Sequence, residues 1–279
     1  MDLTTDAPGV TLHLGGWEVR LRGPERITRA AAAVLSEVTL PEPDLPPLDI
    51  DISPTGQARG ILGHSEAWIL DLPRRGGLAF LVGQVVGTAT SVLRRLLFVH
   101  AAVIEMDGRG YVVVGAPGAG KTSIAAALVR DGAGYLSDEV ALFDPAAGML
   151  HPFALPLAVK PWTAKAAGRM PAARQVAAEA GVRYLLPVRR SAGPVPLDSV
   201  ILLDALEQAA DPVEVPRAEA LLTLSQHPSS FRYRPRLEEA FRGFVRLIRT
   251  ARCVRVGSAH PAEAAAIIRA RLPHSAGGL

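Results

Sequence analysis

Gly115-Ala116-Pro117-Gly118-Ala119-Gly120-Lys121-Thr122 is the stretch on which the reading of this chain turns. It matches G-x-x-x-x-G-K-[ST] at every fixed position. It stands between a β-branched run, Tyr111-Val112-Val113-Val114, and a helix-forming run, Ser123-Ile124-Ala125-Ala126-Ala127-Leu128. A strand that ends in such a loop and a helix that starts from it make an anion cradle. Glycines put no Cβ in the way of a backbone wrapping around a phosphate, and the helix behind them adds its positive N-terminal end. Lys121 is placed to reach the β- and γ-phosphates, and the Thr122 hydroxyl to sit on Mg²⁺. The expected nucleotide contacts are therefore Gly115, Ala116, Pro117, Gly118, Ala119, Gly120, Lys121, Thr122 and Ser123, with Mg²⁺ and a nucleotide, ATP or another, as the bound species.

Working outward, the helix runs from Lys121 to about Arg130 and closes at Asp131-Gly132. A short strand, Tyr135–Leu136, follows and delivers two acids, Asp138 and Glu139, about seventeen residues after Lys121. That interval holds one helix, one turn and one strand, so the acids emerge beside the phosphate loop. An acid there holds Mg²⁺ directly or through water, and a second takes the proton of an attacking hydroxyl. Taken alone an Asp-Glu pair is ordinary loop charge; behind a full phosphate loop at this spacing it is a candidate site. Upstream, Phe98–Glu105 and Gly110–Gly115 read as strands about the turn Asp107-Gly108, with His100 on the first. Downstream, Val140–Phe143, Ala154–Lys160, Arg183–Val188, Ser199–Ala205 and Arg252–Val256 read as strands, and Ala218–Leu224, Arg236–Arg249 and Ala262–Leu272 as helices. Strands alternating with helices place the chain in the α/β class.

The N-terminal part, residues 1–97, reads as a small α/β accessory region, and residues 98–279 as the nucleotide-binding domain. Two strands meet at Gly15-Gly16, a helix spans Glu25–Glu37, strands follow at Leu48–Ser53 and Ala67–Leu72, and a long apolar helix covers Gly77–Leu97. The tail, His274–Leu279, reads as frayed. Hydrophobic content of 49% with 20% charged residues suits a globular protein. Met1–Gly9 is polar and acidic, unlike a signal peptide, and Gly77–Val92 is too short and too polar to span a bilayer. The single cysteine, Cys253, excludes an internal disulfide and reads as a core residue of a cytoplasmic protein. A net charge of +3 gives no argument for nucleic acid or for a membrane surface, and homo-oligomer formation stays open. The densest basic run, Arg232 to Arg255, contains a helical stripe, Leu237, Phe241, Phe244, Val245 and Ile248, expected to be buried. Arg242, Arg246 and Arg249 lie off that stripe, either as a solvated face or as a dock for an acidic peptide or a phosphate.

Three segments together carry a resemblance: Phe98-Val99-His100-Ala101-Ala102, the loop Gly115–Thr122, and Tyr135-Leu136-Ser137-Asp138-Glu139. Their order resembles the catalytic core of the HPr kinase/phosphorylase family, and more closely the looser group of HPr-kinase-related proteins that includes kinases tailoring lasso-type peptides. The resemblance covers roughly residues 98–160. It implies an α/β fold built on a P-loop kinase core of the HPr kinase / phosphoenolpyruvate carboxykinase type, with a small N-terminal α/β region. It implies that Asp138 is the base on the acceptor hydroxyl, that Glu139 is associated with Mg²⁺ (with the division between the two acids open), and that His100 is an active-site histidine. Pro156-Leu157-Ala158-Val159-Lys160 resembles a run in the related kinases and makes Lys160 a candidate second phosphate contact. Two departures stand out: the second acid is Glu rather than Asp, and the second, glycine-containing signature of true HPr kinases has no match.

The expected activity is transfer of the γ-phosphoryl of ATP to a serine-type hydroxyl of a peptide or protein. The alternatives are a nucleotide-driven ATPase or switch, and a kinase for a small-molecule alcohol.

Overall fold

The computed structural model describes residues 9–42, 44–168, 170, 173–204, 211–225, 237–257 and 260–272. The tail 274–279 and the arginines Arg232, Arg234 and Arg236 of the basic run lie outside the described residues. The protein is a mixed α/β structure with several sheets, and it divides into two compact units, residues 1–94 with 175–184, and residues 95–174 with 185–279. No helix among the described residues is long and apolar enough to cross a membrane.

In the first unit, β1 (Val10–Leu14) and β2 (Trp17–Arg22) pair antiparallel about Gly15-Gly16. Gly15 has φ 69°, and a Cβ there would stand 2.4 Å from the Leu40 carbonyl oxygen, so the turn admits only glycine. Helix α1 (Glu25–Leu35) crosses over to β3 (Leu48–Ile52), which runs parallel to β2. β4 (Gln57–Leu62) and β5 (Ser65–Asp71) complete a five-stranded sheet in the order β1-β2-β3-β4-β5. Alternation decides the faces: Leu48, Ile50 and Ile52 are buried, while Asp49 and Asp51 on the other face pair with Arg20 and Arg22. β4 escaped the sequence reading because Gln57-Ala58-Arg59-Gly60 offers little β-branched content; Gly60 is there so that the Trp68 ring can lie on it, 2.4 Å from where a Cβ would stand. Helix α2 (Gly77–Val92) is shorter than the expected Gly77–Leu97. Leu93 turns extended, and the Arg94 N–H goes to the buried Glu42 carboxylate at 2.9 Å rather than to a helix carbonyl. At the other end of α2 the Leu78 N–H donates to Glu179 at 2.9 Å, one of the residues that return to this unit.

The second unit holds β6 (Leu97–Val99), β7 (Ala102–Met106), β8 (Arg109–Val114), α3 (Lys121–Arg130), β9 (Gly134–Ser137), β10 (Ala141–Asp144), β11 (Met149–His151), β12 (Leu157–Val159) and α4 (Pro161–Ala167). After β13 (Ala173–Glu179) and β14 (Val182–Pro187) come β15 (Val195–Asp204), β16 (Val213–Glu214), α5 (Arg217–Ser225), α6 (Leu237–Thr250), β17 (Arg252–Gly257) and α7 (Pro261–Arg271). The single strand expected over Phe98–Glu105 is two. The chain leaves its partner β10 after Val99 and joins β8 and β9 from Ala102 on, which frees His100 from the ladder.

A nine-stranded sheet runs β6-β10-β11-β15-β8-β7-β9, with β17 beside β15 and β16 beside β17. β17, β15 and β8 are mutually parallel, and β7 is antiparallel both to β8 and to β9. Two antiparallel steps make β9 run the same way as β8. The carboxyl ends of β8, β9, β15 and β17 therefore open on one edge, where α/β sheets bind their ligands. Alternate residues of each strand enter two separate cores. Tyr111, Val113, Ile201 and Val254 pack with α3 and α7 residues such as Ile124 and Ile268. Val112, Val114, Val200 and Cys253 pack with Leu224, Phe244 and Leu247 of α5 and α6. Both faces of the sheet are covered, which is why its strands read as continuous apolar runs.

The stripe expected on α6 is shifted. Phe244 and Ile248 are buried, Leu247 joins them, and Phe241 is 47% exposed. Gly243 turns toward the sheet, and a Cβ there would stand 2.5 Å from a Leu97 methyl, so the helix is rolled to seat its glycine.

Candidate active site

The loop between β8 and α3 takes its shape from its glycines. Gly118 and Gly120 adopt φ 86° and 94°, conformations a side chain resists. A Cβ on Gly115 would press at 3.1 Å on both Ala119 and Leu203, and one on Gly120 at 3.2 Å on Pro261 at the start of α7. Gly120 is also the residue before the first turn of α3, so the N–H groups that open that helix face the loop. Lys121 is only 8% exposed. Its ammonium donates to the Gly115 carbonyl at 2.8 Å and the Ala116 carbonyl at 3.3 Å. Burial pushes it below the usual lysine range, and the charges of Glu139 and Asp138 pull it part of the way back. Ser123 is buried behind the loop, in the first turn of α3.

Asp138 and Glu139 follow β9 on the same sheet edge, two strands away from β8, roughly 10 Å at ordinary strand spacing. Ser137 shapes the turn that presents them: its buried hydroxyl accepts the Val140 N–H at 3.0 Å and the Glu139 N–H at 3.3 Å. The two acids differ in surroundings. Asp138 is 5% exposed, hydrogen-bonded to the Thr122 hydroxyl and to the Ala158 backbone of β12. Burial, and then the neighbouring Glu139 charge, push its carboxyl up to about 7. The Glu139 side chain is 54% exposed. His100 reaches it across the gap left by the strand break: Nδ1 lies 3.0 Å from the Glu139 carbonyl oxygen and 3.3 Å from its carboxylate. A carbonyl only accepts, so Nδ1 carries the hydrogen and Nε2 is the ring's basic nitrogen.

Thr122, Asp138, Glu139, Lys121 and His100 are thus brought into one contiguous group. Lys160 is not seen to join them. It is exposed, closes β12 and precedes α4, and its ammonium lies 5.2 Å from the centre of the Trp162 ring. The strand expected over Ala154–Lys160 is only Leu157–Val159, because Pro161 begins a helix that the sequence reading did not foresee.

The chemistry of the group fits a magnesium–polyphosphate. Glycines in left-handed conformations, a buried ammonium and a helix N-terminus suit the phosphates. The Thr122 hydroxyl and the carboxylates of Glu139 and Asp138 are oxygen donors of the kind Mg²⁺ uses together with phosphate and water.

Comparison with known proteins adds a faint likeness. No family model matches the chain, and no curated protein matches it. Among solved structures, it is similar to the Hpr(Ser) kinase/phosphatase from Coxiella burnetii, at 10% identity over 62% of this chain and 93% of that one, with a TM-score of 0.28. The functional reading rests on the geometry of the loop and its carboxyls.

Three residues of this region have no role assigned by the sequence. Tyr135 reads as one more β-strand aromatic, yet its hydroxyl is fully buried, 3.0 Å from Asp138 Oδ1 and 2.5 Å from the Leu155 carbonyl. A phenol has one hydrogen, and the Leu155 carbonyl and an ionised Asp138 both call for it. The same burial drives the Tyr135 phenol well above its usual range. Ser137 was legible only as the residue before the acids. Trp162 gave no hint of its exposure.

Proposed function

We propose that this protein is a P-loop phosphotransferase of the HPr kinase / phosphoenolpyruvate carboxykinase type, passing the γ-phosphoryl of Mg-ATP to a serine-type hydroxyl of a peptide or protein. One observation carries the reading: Asp138 is buried directly after β9, on the sheet edge at which β8 runs into the phosphate loop, and burial pushes its carboxyl up to about 7. A carboxyl so tuned is suited to general-base work near neutral pH, where an exposed aspartate is too weak a base.

In this reading the loop N–H groups and Lys121 hold the β- and γ-phosphates, and Lys121 exchanges its own loop carbonyls for phosphate oxygens. Mg²⁺ enters with the nucleotide as part of the substrate; Thr122 and Glu139 would hold it, and it would neutralise charge on the phosphates. Asp138 accepts the proton of the acceptor hydroxyl as that oxygen bonds to the γ-phosphorus. The bond from phosphorus to the β–γ bridging oxygen breaks, and ADP leaves with the electron pair. His100, fixed by Glu139, presents Nε2 to a hydrogen-bond donor on the acceptor.

The experiment is a two-product count. The protein is incubated with ATP labelled at the γ-phosphate, Mg²⁺, and serine peptides or small alcohols, and labelled acceptor and free phosphate are read from the same reaction. Label on a peptide, lost in Asp138→Asn, supports the reading. Stoichiometric free phosphate in the presence of every acceptor refutes it in favour of an ATPase.

A further inference from the structure

Trp162 is 66% exposed, while the other two tryptophans of the chain are covered: Trp17 fully, Trp68 in part. Its ring is not idle. The Lys160 ammonium stands over it at 5.2 Å, within cation–π range, which places a cation beside it. α4 carries a second cation, Lys165, and no acid, so two of the three lysines in the chain sit within three residues of Trp162. Tryptophan is among the residues enriched in binding hot spots, and the flanking lysines give the patch around this one a positive sign.

Its position says what it would bind. The Ala158 backbone bonds Asp138, and Trp162 lies four residues further on, at most about 14 Å of chain away. Trp162, in the first turn of α4, therefore stays within reach of the Asp138 flank of the loop. Gly120 is closed from another side by Pro261 at the start of α7, a helix that α4 also packs against. In-line transfer puts the acceptor hydroxyl opposite the departing ADP. The base must touch that hydroxyl, so the acceptor lies on the Asp138 flank and the nucleoside away from it.

We infer that Trp162 and Lys160 form the docking lip for the phosphoryl acceptor, and that the acceptor is a peptide segment carrying an acidic residue near its serine. This rests on the phosphotransferase reading and gives its acceptor a class. The indole packs on the peptide, and the two lysines select its carboxylate.

The test separates docking from transfer. Fluorescein-labelled serine peptides with acidic, neutral or basic flanks are titrated by anisotropy against the full chain holding Mg²⁺ and a non-hydrolysable ATP analogue. Acid-flanked peptides are expected to bind about tenfold tighter than basic ones. Trp162→Ala should weaken them about tenfold or more while leaving the analogue's Kd within twofold. Lys160→Gln should erase the preference for acid. Peptide binding that ignores Trp162→Ala, or that no peptide shows, overturns the proposal. So does a loss of nucleotide affinity in either variant, which would put these side chains on the ATP. The same peptides are then given labelled Mg-ATP. Peptides that dock but are never phosphorylated refute the kinase reading and leave the lip standing; peptides phosphorylated equally well by wild type and Trp162→Ala refute the lip alone.

Discussion

Replacing Asp138 by asparagine should make the protein more stable and less active at once, and the two effects follow from the same carboxyl. Asp138 is buried, and its folded-state pKa stands at about 7 against 3.8 for the free side chain. Between those values the folded chain holds a proton that the unfolded chain has released. Folding stability that is fully present below pH ~4 is therefore lost as pH rises through ~7. About three units at about 1.4 kcal/mol each put the loss near 4 kcal/mol at pH 8. An asparagine side chain has the same shape and no proton to lose, so Asp138→Asn keeps that stability. At pH 8 the variant should melt roughly 8–16 °C above wild type for a unit of this size, and the gap should close toward pH 4.5. The assay is thermal melting from pH 4.5 to 8.5 without nucleotide or Mg²⁺, since Mg²⁺ would stabilise the charged form of wild type and a bound nucleotide would add stability of its own. Phosphoryl transfer by the same variant should fall about 10²–10⁴-fold. A gap that is absent, reversed, or equal at all pH values would refute the claim that burial governs this carboxyl.

Three further substitutions probe the same group. Lys121→Ala removes the ammonium held at the loop and should weaken ATP binding about 10²-fold by calorimetry, with the fold intact by circular dichroism. Tyr135→Phe leaves Asp138 Oδ1 and the Leu155 carbonyl without their shared donor; turnover should drop about tenfold with ATP affinity unchanged, at a cost of about 1–3 kcal/mol in denaturant melts. Equal turnover would show that the phenol is packing alone. Gly120→Ala forces a side chain into φ 94° and against Pro261, so it should cost about 1–3 kcal/mol and abolish nucleotide binding, whereas Gly118→Ala meets the same strain with no neighbour within 4 Å.

What could be read from residues alone was what depends on short range. The loop, α3 and the acids after β9 each lie within a few residues of their own explanation, so spacing was enough to list them. The helices α5, α6 and α7 likewise followed from local apolar spacing, within a residue or two at each end. Tyr135 was invisible because its role depends on a carbonyl twenty residues away, at Leu155. The break at His100 was hidden for a related reason. Nothing local distinguishes a strand that keeps its partner from one that exchanges β10 for β8 and β9. Phe241 was misassigned because periodicity locates a stripe but not the few tens of degrees by which a helix rolls to seat Gly243 against Leu97. Lys160 and Trp162 were separated by the expectation of a strand through Lys160, and the helix start at Pro161 is what joined them.

Residues 175–184 belong to the first unit although the chain has by then run through eighty residues of the second, Arg95–Arg174. No single cut in the sequence therefore separates the two. A fragment beginning near residue 95 would carry Glu179 without Leu78, the backbone N–H its carboxylate receives, and a strand without the unit it completes. A fragment ending near residue 94 would leave that N–H at the head of α2 without its carboxylate. Workable dissection needs either a short linker from Arg174 to Leu185 in the second unit, or the segment 175–184 supplied in trans to the first. In genetic terms the two halves are inherited together: a recombination point anywhere between residues 95 and 175 splits both units.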